Sequence, residues 1–375
     1  MIFNNDVLGL IFANMHDASI SELTKARTMG SVMFGGRYRL IDFPLSNMVN
    51  SGIPEIGVIT KSNYQSLLDH IGSGKEWDLS GKTGGLHLLP PFSHVGSGIY
   101  RGRLEALNGI WNFVENSNAD YVVLSDCDVV TTIDYRPIIE SHIERNADIT
   151  VVYEKMLINT SEKLNSTVLG IDKEGRINDV MINPEILGEV NLSLNMFVIT
   201  KKFLKKIVQE AACRSLFSFE REILQAKNSE YNIYSYEHKG YFSKIDSMIG
   251  YYQANMELLK TENRKKLFMP SFPIFTKIKD NGPAKYGVDA DIKNSLIADG
   301  CIIEGTVINS VLFRGVKVGK GSVVKNCILM QDTKVGANSD IDSIITDKRV
   351  LIGDKRVLTG SQTYPLFIAK NAQIL

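Results

Sequence analysis

The chain has no cysteine pair at metal-binding or redox spacing. Its four cysteines, Cys127, Cys213, Cys301 and Cys327, stand far apart, which argues against a disulfide framework or a zinc site and for free thiols. It also lacks net charge, because 42 basic side chains balance 42 acidic ones, so neither nucleic acid nor an anionic membrane is expected as a partner. No apolar run approaches the length of a membrane span, and Asp6 rather than a basic leader precedes Val7 to Ala13; a cytoplasmic protein is expected. No G-x-G-x-x-G follows a predicted strand, which excludes a dinucleotide fingerprint. Gly81-Lys82-Thr83 ends like a phosphate-binding loop, but Glu76 occupies the place of the required earlier glycine, leaving a surface turn. The six histidines, His16, His70, His87, His94, His142 and His238, form no ligand-like cluster in sequence. None follows His238 to act as a general base in the C-terminal part.

What is present divides the 375 residues into two unlike halves, as that length leads one to expect. Val7 to Ala13, Ile56 to Thr60, Tyr121 to Leu124 and Ile149 to Tyr153 are apolar, β-branched runs that read as strands covered on both faces. Between them, Tyr64, Leu67, Leu68 and Ile71, and again Leu104, Leu107, Trp111 and Val114, follow helical spacing. Pro137 opens another helix through Ile138, Ile139 and Ile143. The first half is therefore α/β, a mixed and mainly parallel sheet with helices on each side. Pro270, Pro273, Pro283 and Asp280-Asn281-Gly282 then break the pattern. Beyond them an apolar residue recurs every six positions, at Ile297 and Ile303, at Leu312, Val318, Val324 and Met330, and at Val335 and Ile341. That period predicts a parallel β-helix of hexapeptide repeats, with irregular turns where the phase slips. The expected division is a domain over 1–268, a linker over 269–287 and the β-helix over 288–375.

Phe34-Gly35-Gly36-Arg37-Tyr38-Arg39-Leu40-Ile41-Asp42-Phe43, Leu45-Ser46-Asn47 and Asn50-Ser51-Gly52-Ile53 form a block that resembles the glucose-1-phosphate adenylyltransferase family. The likeness continues, in order, through His70-Ile71-Gly72-Ser73-Gly74, Trp77-Asp78-Leu79, Tyr100-Arg101-Gly102, Ala254-Asn255-Met256, Asp299 to Gly305 and Asn309-Ser310-Val311-Leu312. The resemblance implies a nucleotidyltransferase domain joined to a left-handed β-helix. It also implies a reaction in which ATP and glucose 1-phosphate give ADP-glucose and pyrophosphate, with Mg2+ bound in active members. Such chemistry needs two polyanions positioned and charge neutralised at the reacting phosphate.

Residue by residue, the family's catalytic parts are degraded. The glycine-rich phosphate loop reads Ala13-Asn14-Met15-His16-Asp17-Ala18-Ser19, without bare backbone and with an added acid. Met29-Gly30 replaces a lysine-proline pair, although Arg27 remains, and Asn183 before Pro184 replaces a lysine that contacts the sugar phosphate. Of the two magnesium-binding aspartates, the resemblance retains Asp128, puts Lys244 in place of the second, and leaves Asp246 as a substitute if the strand alternation carries that far. Asp126 is an acid outside the family pattern. Lys61 replaces a glutamine near the adenine, and bulky side chains replace small ones after Gly102. Arg39 and Asp42 form an ion pair or contact substrate, as Gly102 also would.

The resulting expectation is a non-catalytic or weakly active D-type subunit of bacterial glycogen biosynthesis. Its partner would be a catalytic adenylyltransferase subunit, in a hetero-oligomer of tetrameric size. Small anionic effectors would be held by such residues as Lys25, Arg27 or Lys285. The alternative is an active sugar nucleotidyltransferase with a rearranged phosphate loop and metal site.

Overall fold

A strand that is apolar at every position needs cover on both faces, and the first domain supplies it. In the computed structural model, which describes residues 6–81, 84–91 and 100–375 and no side chains for 160–162, a nine-stranded sheet runs through this domain. Lys82, Thr83 and His94 lie outside the described residues. Val7–Phe12 is central, with Glu55–Ile59 and then Gly85–Leu89 in parallel on one side. Tyr121–Asp126 is parallel to it on the other side, followed by the antiparallel Glu185–Thr200. The two faces of Val7–Phe12 feed different cores: Val7 and Ile11 enter one, and Leu8, Leu10 and Phe12 the other.

The helices follow the predicted stripes with two differences. Leu68 is exposed, so Gln65–Ile71 is anchored by Leu67, His70 and Ile71. The stripe from Leu104 to Val114 is two short helices, Arg103–Gly109 and Trp111–Asn116, separated at Ile110. Glycine at the end of the first favours the break, since it holds a helix poorly.

The C-terminal half is a left-handed β-helix whose strands stack in three parallel sheets of six, five and five. Ile303, Leu312, Val318, Val324, Val335 and Ile341 fill its bore as the six-residue spacing predicts. The phase slips at corners turned by residues with positive φ, Asn294, Asn309, Asn326 and Ser343 in successive coils; asparagine tolerates that conformation better than most side chains. The first coil begins with Lys285–Tyr286, which pairs with Ile302–Ile303 and so lies inside the stretch read as a linker. Met330 does not enter the bore; with Val311, Phe313, Ile328 and Ile345 it packs into the core of the first domain.

The recognised motifs converge on that seam. Gly35 and Gly36 turn with φ of 59° and 85°, and the Gly35 N–H donates to Asn255 Oδ1 at 2.9 Å. Tyr251 donates to the Met33 carbonyl and Tyr252 to the Asn326 carbonyl in the β-helix, each at 2.7 Å. A buried ion pair, Arg27 to Asp347 at 2.7 Å, completes the join.

Candidate functional site

Parallel strands present their carboxyl ends together, and here the ends of Val7–Phe12 and Tyr121–Asp126 put the loop after Ala13 beside Asp126, Cys127 and Asp128. The loop is braced by its own side chains. Asn14 Oδ1 accepts the Lys61 N–H at 2.8 Å, and Asn14 Nδ2 donates to Asp17 Oδ2 at 2.7 Å. Asp17 Oδ1 accepts the Met29 N–H at 2.7 Å, so a backbone donor near the loop is already taken by a carboxylate of this chain. Burial raises the Asp17 pKa against the hydrogen bonds from Asn14 and Met29. The Lys61 ammonium lies over the Tyr100 ring.

Asp126 and Asp128 are both buried, and each faces a cation. Arg103 grips Asp126 with two N–H···O bonds of 3.1 and 2.9 Å and also reaches Glu220 at 2.9 Å. Lys244 Nζ stands 3.8 Å from Asp128 Oδ2 and donates to the Ser193 carbonyl at 3.1 Å. Asn195 Nδ2 donates to Asp128 Oδ2 at 2.8 Å. His16 Nε2 lies 2.7 Å from Asp126 Oδ2 and 3.6 Å from Asp128 Oδ2. Burial works against a charged imidazole there, but Asp128 and Asp126 outweigh it and hold the His16 pKa above its ordinary value. Between the two acids, burial keeps the Cys127 thiol far from ionising.

This arrangement corrects the expectation that the histidines form no cluster. His16, Asp126 and Asp128 offer ligand atoms within 4.8 Å of one another, the only such group among the described residues. It does not fit magnesium. That ion asks for oxygen ligands at near-ideal octahedral geometry, whereas both Asp126 oxygens are held by Arg103 and Asp128 Oδ2 by Asn195, with an ammonium alongside. Asp128 Oδ1 is buried without a protein partner.

The remaining candidates are scattered. The strand Phe242–Lys244 stops before Asp246, so period-two alternation does not carry to it. Asp246 Oδ1 accepts from Ser247 Oγ, at the start of the helix Met248–Glu257. Asn183, with φ of 51°, lies between Ile177–Ile182 and Glu185–Thr200, which flank Thr167–Ile171 in the sheet, and it donates its N–H to the Ser166 carbonyl. Met29 is buried in the core. Arg39 and Asp42 do not pair through their side chains: the Arg39 N–H caps Asp42, the guanidinium bonds Ser66, and Asp42 Oδ1 lies 2.5 Å from His70 Nε2. Gly102 is bare because a Cβ there would stand 2.2 Å from the Phe217 carbonyl oxygen. Sequence reasoning gave no binding role to His16, Asn195 or Glu220, and read Arg103 only as a bulky side chain after Gly102. Strand order could have flagged His16, which follows the end of the central strand Val7–Phe12.

Comparison with known proteins agrees with this architecture. Residues 19–261 match the nucleotidyl transferase family, and residues 282–362 the GlmU-like C-terminal hexapeptide family. A protein of Bacillus subtilis (strain 168), "Glycogen biosynthesis protein GlgD", is 34% identical over 98% of this chain and 97% of its own length. A "Glucose-1-phosphate adenylyltransferase" of Clostridium perfringens (strain 13 / Type A) is 31% identical over 96% of this chain and 97% of its own. One of Thermosipho melanesiensis is 34% identical, over 85% and 78%. With relatives 31% and 34% identical along nearly its whole length, and both domains matched in order, the chain belongs to the glucose-1-phosphate adenylyltransferase family.

Proposed function

We propose that this chain serves glycogen biosynthesis as a subunit with little or no catalysis of its own, assembled with an active adenylyltransferase subunit that converts ATP and glucose 1-phosphate to ADP-glucose and pyrophosphate. The observation that carries the reading is the loop after Ala13, where Asn14 and Asp17 bond each other and take the N–H groups of Lys61 and Met29, so that side chains, one of them a carboxylate, stand where a triphosphate needs bare backbone. Lys244 beside Asp128 supports it, because an ammonium repels a divalent cation. The preserved seam and β-helix leave a scaffold through which one subunit can alter another's affinity by linkage. We infer a hetero-oligomer of tetrameric size.

Anionic effectors fit the same reading. Arg27, named for that role, is spent on Asp347, while Lys25 and Lys285 are exposed. A denser set of cations surrounds Lys348, whose pKa is pushed down to about 7 by burial and by Arg39 and Arg27, with Lys279 adding to it.

Co-expression of this chain with a catalytic subunit tests the proposal. A co-purifying complex with altered kinetics, and no pyrophosphate release by this chain alone, is expected; no complex and unchanged partner kinetics would refute it. One observation favours the alternative of an active enzyme with a rearranged site: Asp128 Oδ1 is free of protein partners. Pyrophosphate release by the isolated chain that is lost in Asp128→Asn would establish that alternative.

A further inference from the structure

Open α/β sheets hold ligands beyond the carboxyl ends of their strands, at the point where the chain switches direction across the sheet. Here that point is defined by topology. From Val7–Phe12 the chain moves to Glu55–Ile59 and Gly85–Leu89 on one side, then returns to the other with Tyr121–Asp126. Phe12 and Asp126, the last residues of the two central strands, are register partners. The crevice above them is filled by one side chain from the helix that follows Gly102.

Arg103 is 1% exposed. Its guanidinium carbon lies 4.8 Å from the Phe12 ring centre, 5.2 Å from Phe197 and 5.9 Å from Phe219. Its two terminal nitrogens take both oxygens of Asp126, and one of them also takes Glu220 Oε1. Aromatic faces around a cation and a carboxylate set in fork geometry are the two features that recognise a planar guanidinium. Burial alone would disfavour the charge, yet Asp126 and Glu220 hold the Arg103 pKa above its ordinary value.

We propose that the switch-point crevice of this chain is a guanidinium-binding cage whose resident ligand is Arg103, an intramolecular plug at the place where such a sheet would receive a ligand. Any molecule entering the crevice must displace that side chain and leave Asp126, buried, with only His16 against it. The plug goes beyond the subunit reading and stands whether or not a partner subunit exists. Failure of the co-expression experiment therefore leaves it intact, and its own failure leaves the subunit reading intact.

Chemical rescue of full-length Arg103→Ala tests it. Removing one partner of a buried pair lowers Tm by about 4–6 °C for a chain of this length. Methylguanidinium chloride at about 10 mM is expected to restore at least about 2 °C of that loss in the variant and nothing in the wild type. Tetramethylammonium, charged but without N–H donors, and methylurea, planar but neutral, are expected to restore none. No recovery with methylguanidinium, or equal recovery with all three solutes, overturns the cage. Should Arg103→Ala be insoluble, its refolding yield in the same three solutes is the readout: a gain with methylguanidinium alone supports the proposal, and equal yields overturn it.

Discussion

Replacing Asp347 by alanine should loosen the whole molecule, although the residue lies in the β-helix and far from the crevice. Asp347 and Arg27 are 320 positions apart in sequence, joined by a 2.7 Å bond, and only 5% and 3% exposed. An exposed pair of this kind contributes about 0–1 kcal/mol. A buried pair broken on one side costs about 3–5 kcal/mol, because the remaining charge is stranded. Arg27 has little in reserve, since its other terminal nitrogen already lacks a partner. At about 2.1 cal/mol/K per residue, the unfolding entropy of 375 residues is roughly 0.8 kcal/mol/K. Asp347→Ala should therefore lower Tm by about 4–6 °C in a calorimetric scan. Because Met330, Ile328 and Ile345 of the β-helix share one core with Tyr251 and Leu258, the two domains should unfold in a single transition. The double variant Arg27→Met, Asp347→Leu should regain most of the loss, as apolar replacements of buried pairs generally do. A Tm within about 1 °C of wild type for Asp347→Ala, or a double variant no better than the single, would refute the reasoning.

Gly36→Ala should cost about 1–2 kcal/mol of stability in urea titration from its left-handed backbone alone, because the nearest atom to a new Cβ, the Leu312 oxygen, is a comfortable 3.8 Å away and φ is 85°. Gly102→Ala should cost more, for a different reason: its φ of −153° is ordinary, but the Cβ would collide with the Phe217 carbonyl, so helix Arg103–Gly109 must move and the Arg103 contacts should weaken. Equal losses in the two variants would contradict that distinction. Stability should also fall on acidification through His142. Burial lowers its pKa to about 4 in the folded state, so its neutral form supports folding fully above the unfolded value near 6.5. That support, up to about 3 kcal/mol, should be lost as pH falls from about 6.5 to 4. His142→Gln, which can keep the bond to Thr150, should flatten that part of the profile; identical slopes for variant and wild type would exclude the assignment.

The readable parts of the sequence were those fixed by local periodicity. Unbroken apolar runs gave the central strands, since a strand buried on both faces admits no polar position. The six-residue recurrence gave the β-helix, since each coil must turn an apolar residue inward three times. What stayed illegible depended on distance. Nothing local marks Met330 as facing the other domain rather than the bore, because its spacing satisfies both. His16 looked like a loop residue, yet it meets Asp126 across 110 positions. Arg103 counted only as one of the bulky side chains after Gly102, and it takes the pairing of Phe12 with Asp126 to reveal what it fills. Arg39 and Asp42 were close enough to suggest an ion pair, but the backbone claimed the carboxylate first.

The charges at the crevice form matched sets. A buried Asp126 alone would be a stranded charge costing several kcal/mol, so it is tolerable only with Arg103, whose guanidinium is in turn tolerable only with Asp126 and Glu220. Lys244 stands in the same relation to Asp128. The three carboxylates Asp126, Asp128 and Glu220 thus meet two permanent cations, and His16 stands against the first two acids as the remaining source of positive charge. Replacing Lys244 by aspartate would therefore add a third acid beside Asp126 and Asp128 while Arg103 still held the crevice. That single substitution should cost stability without creating a cation site, and creating one would require Arg103, Asp126 and Lys244 to change together.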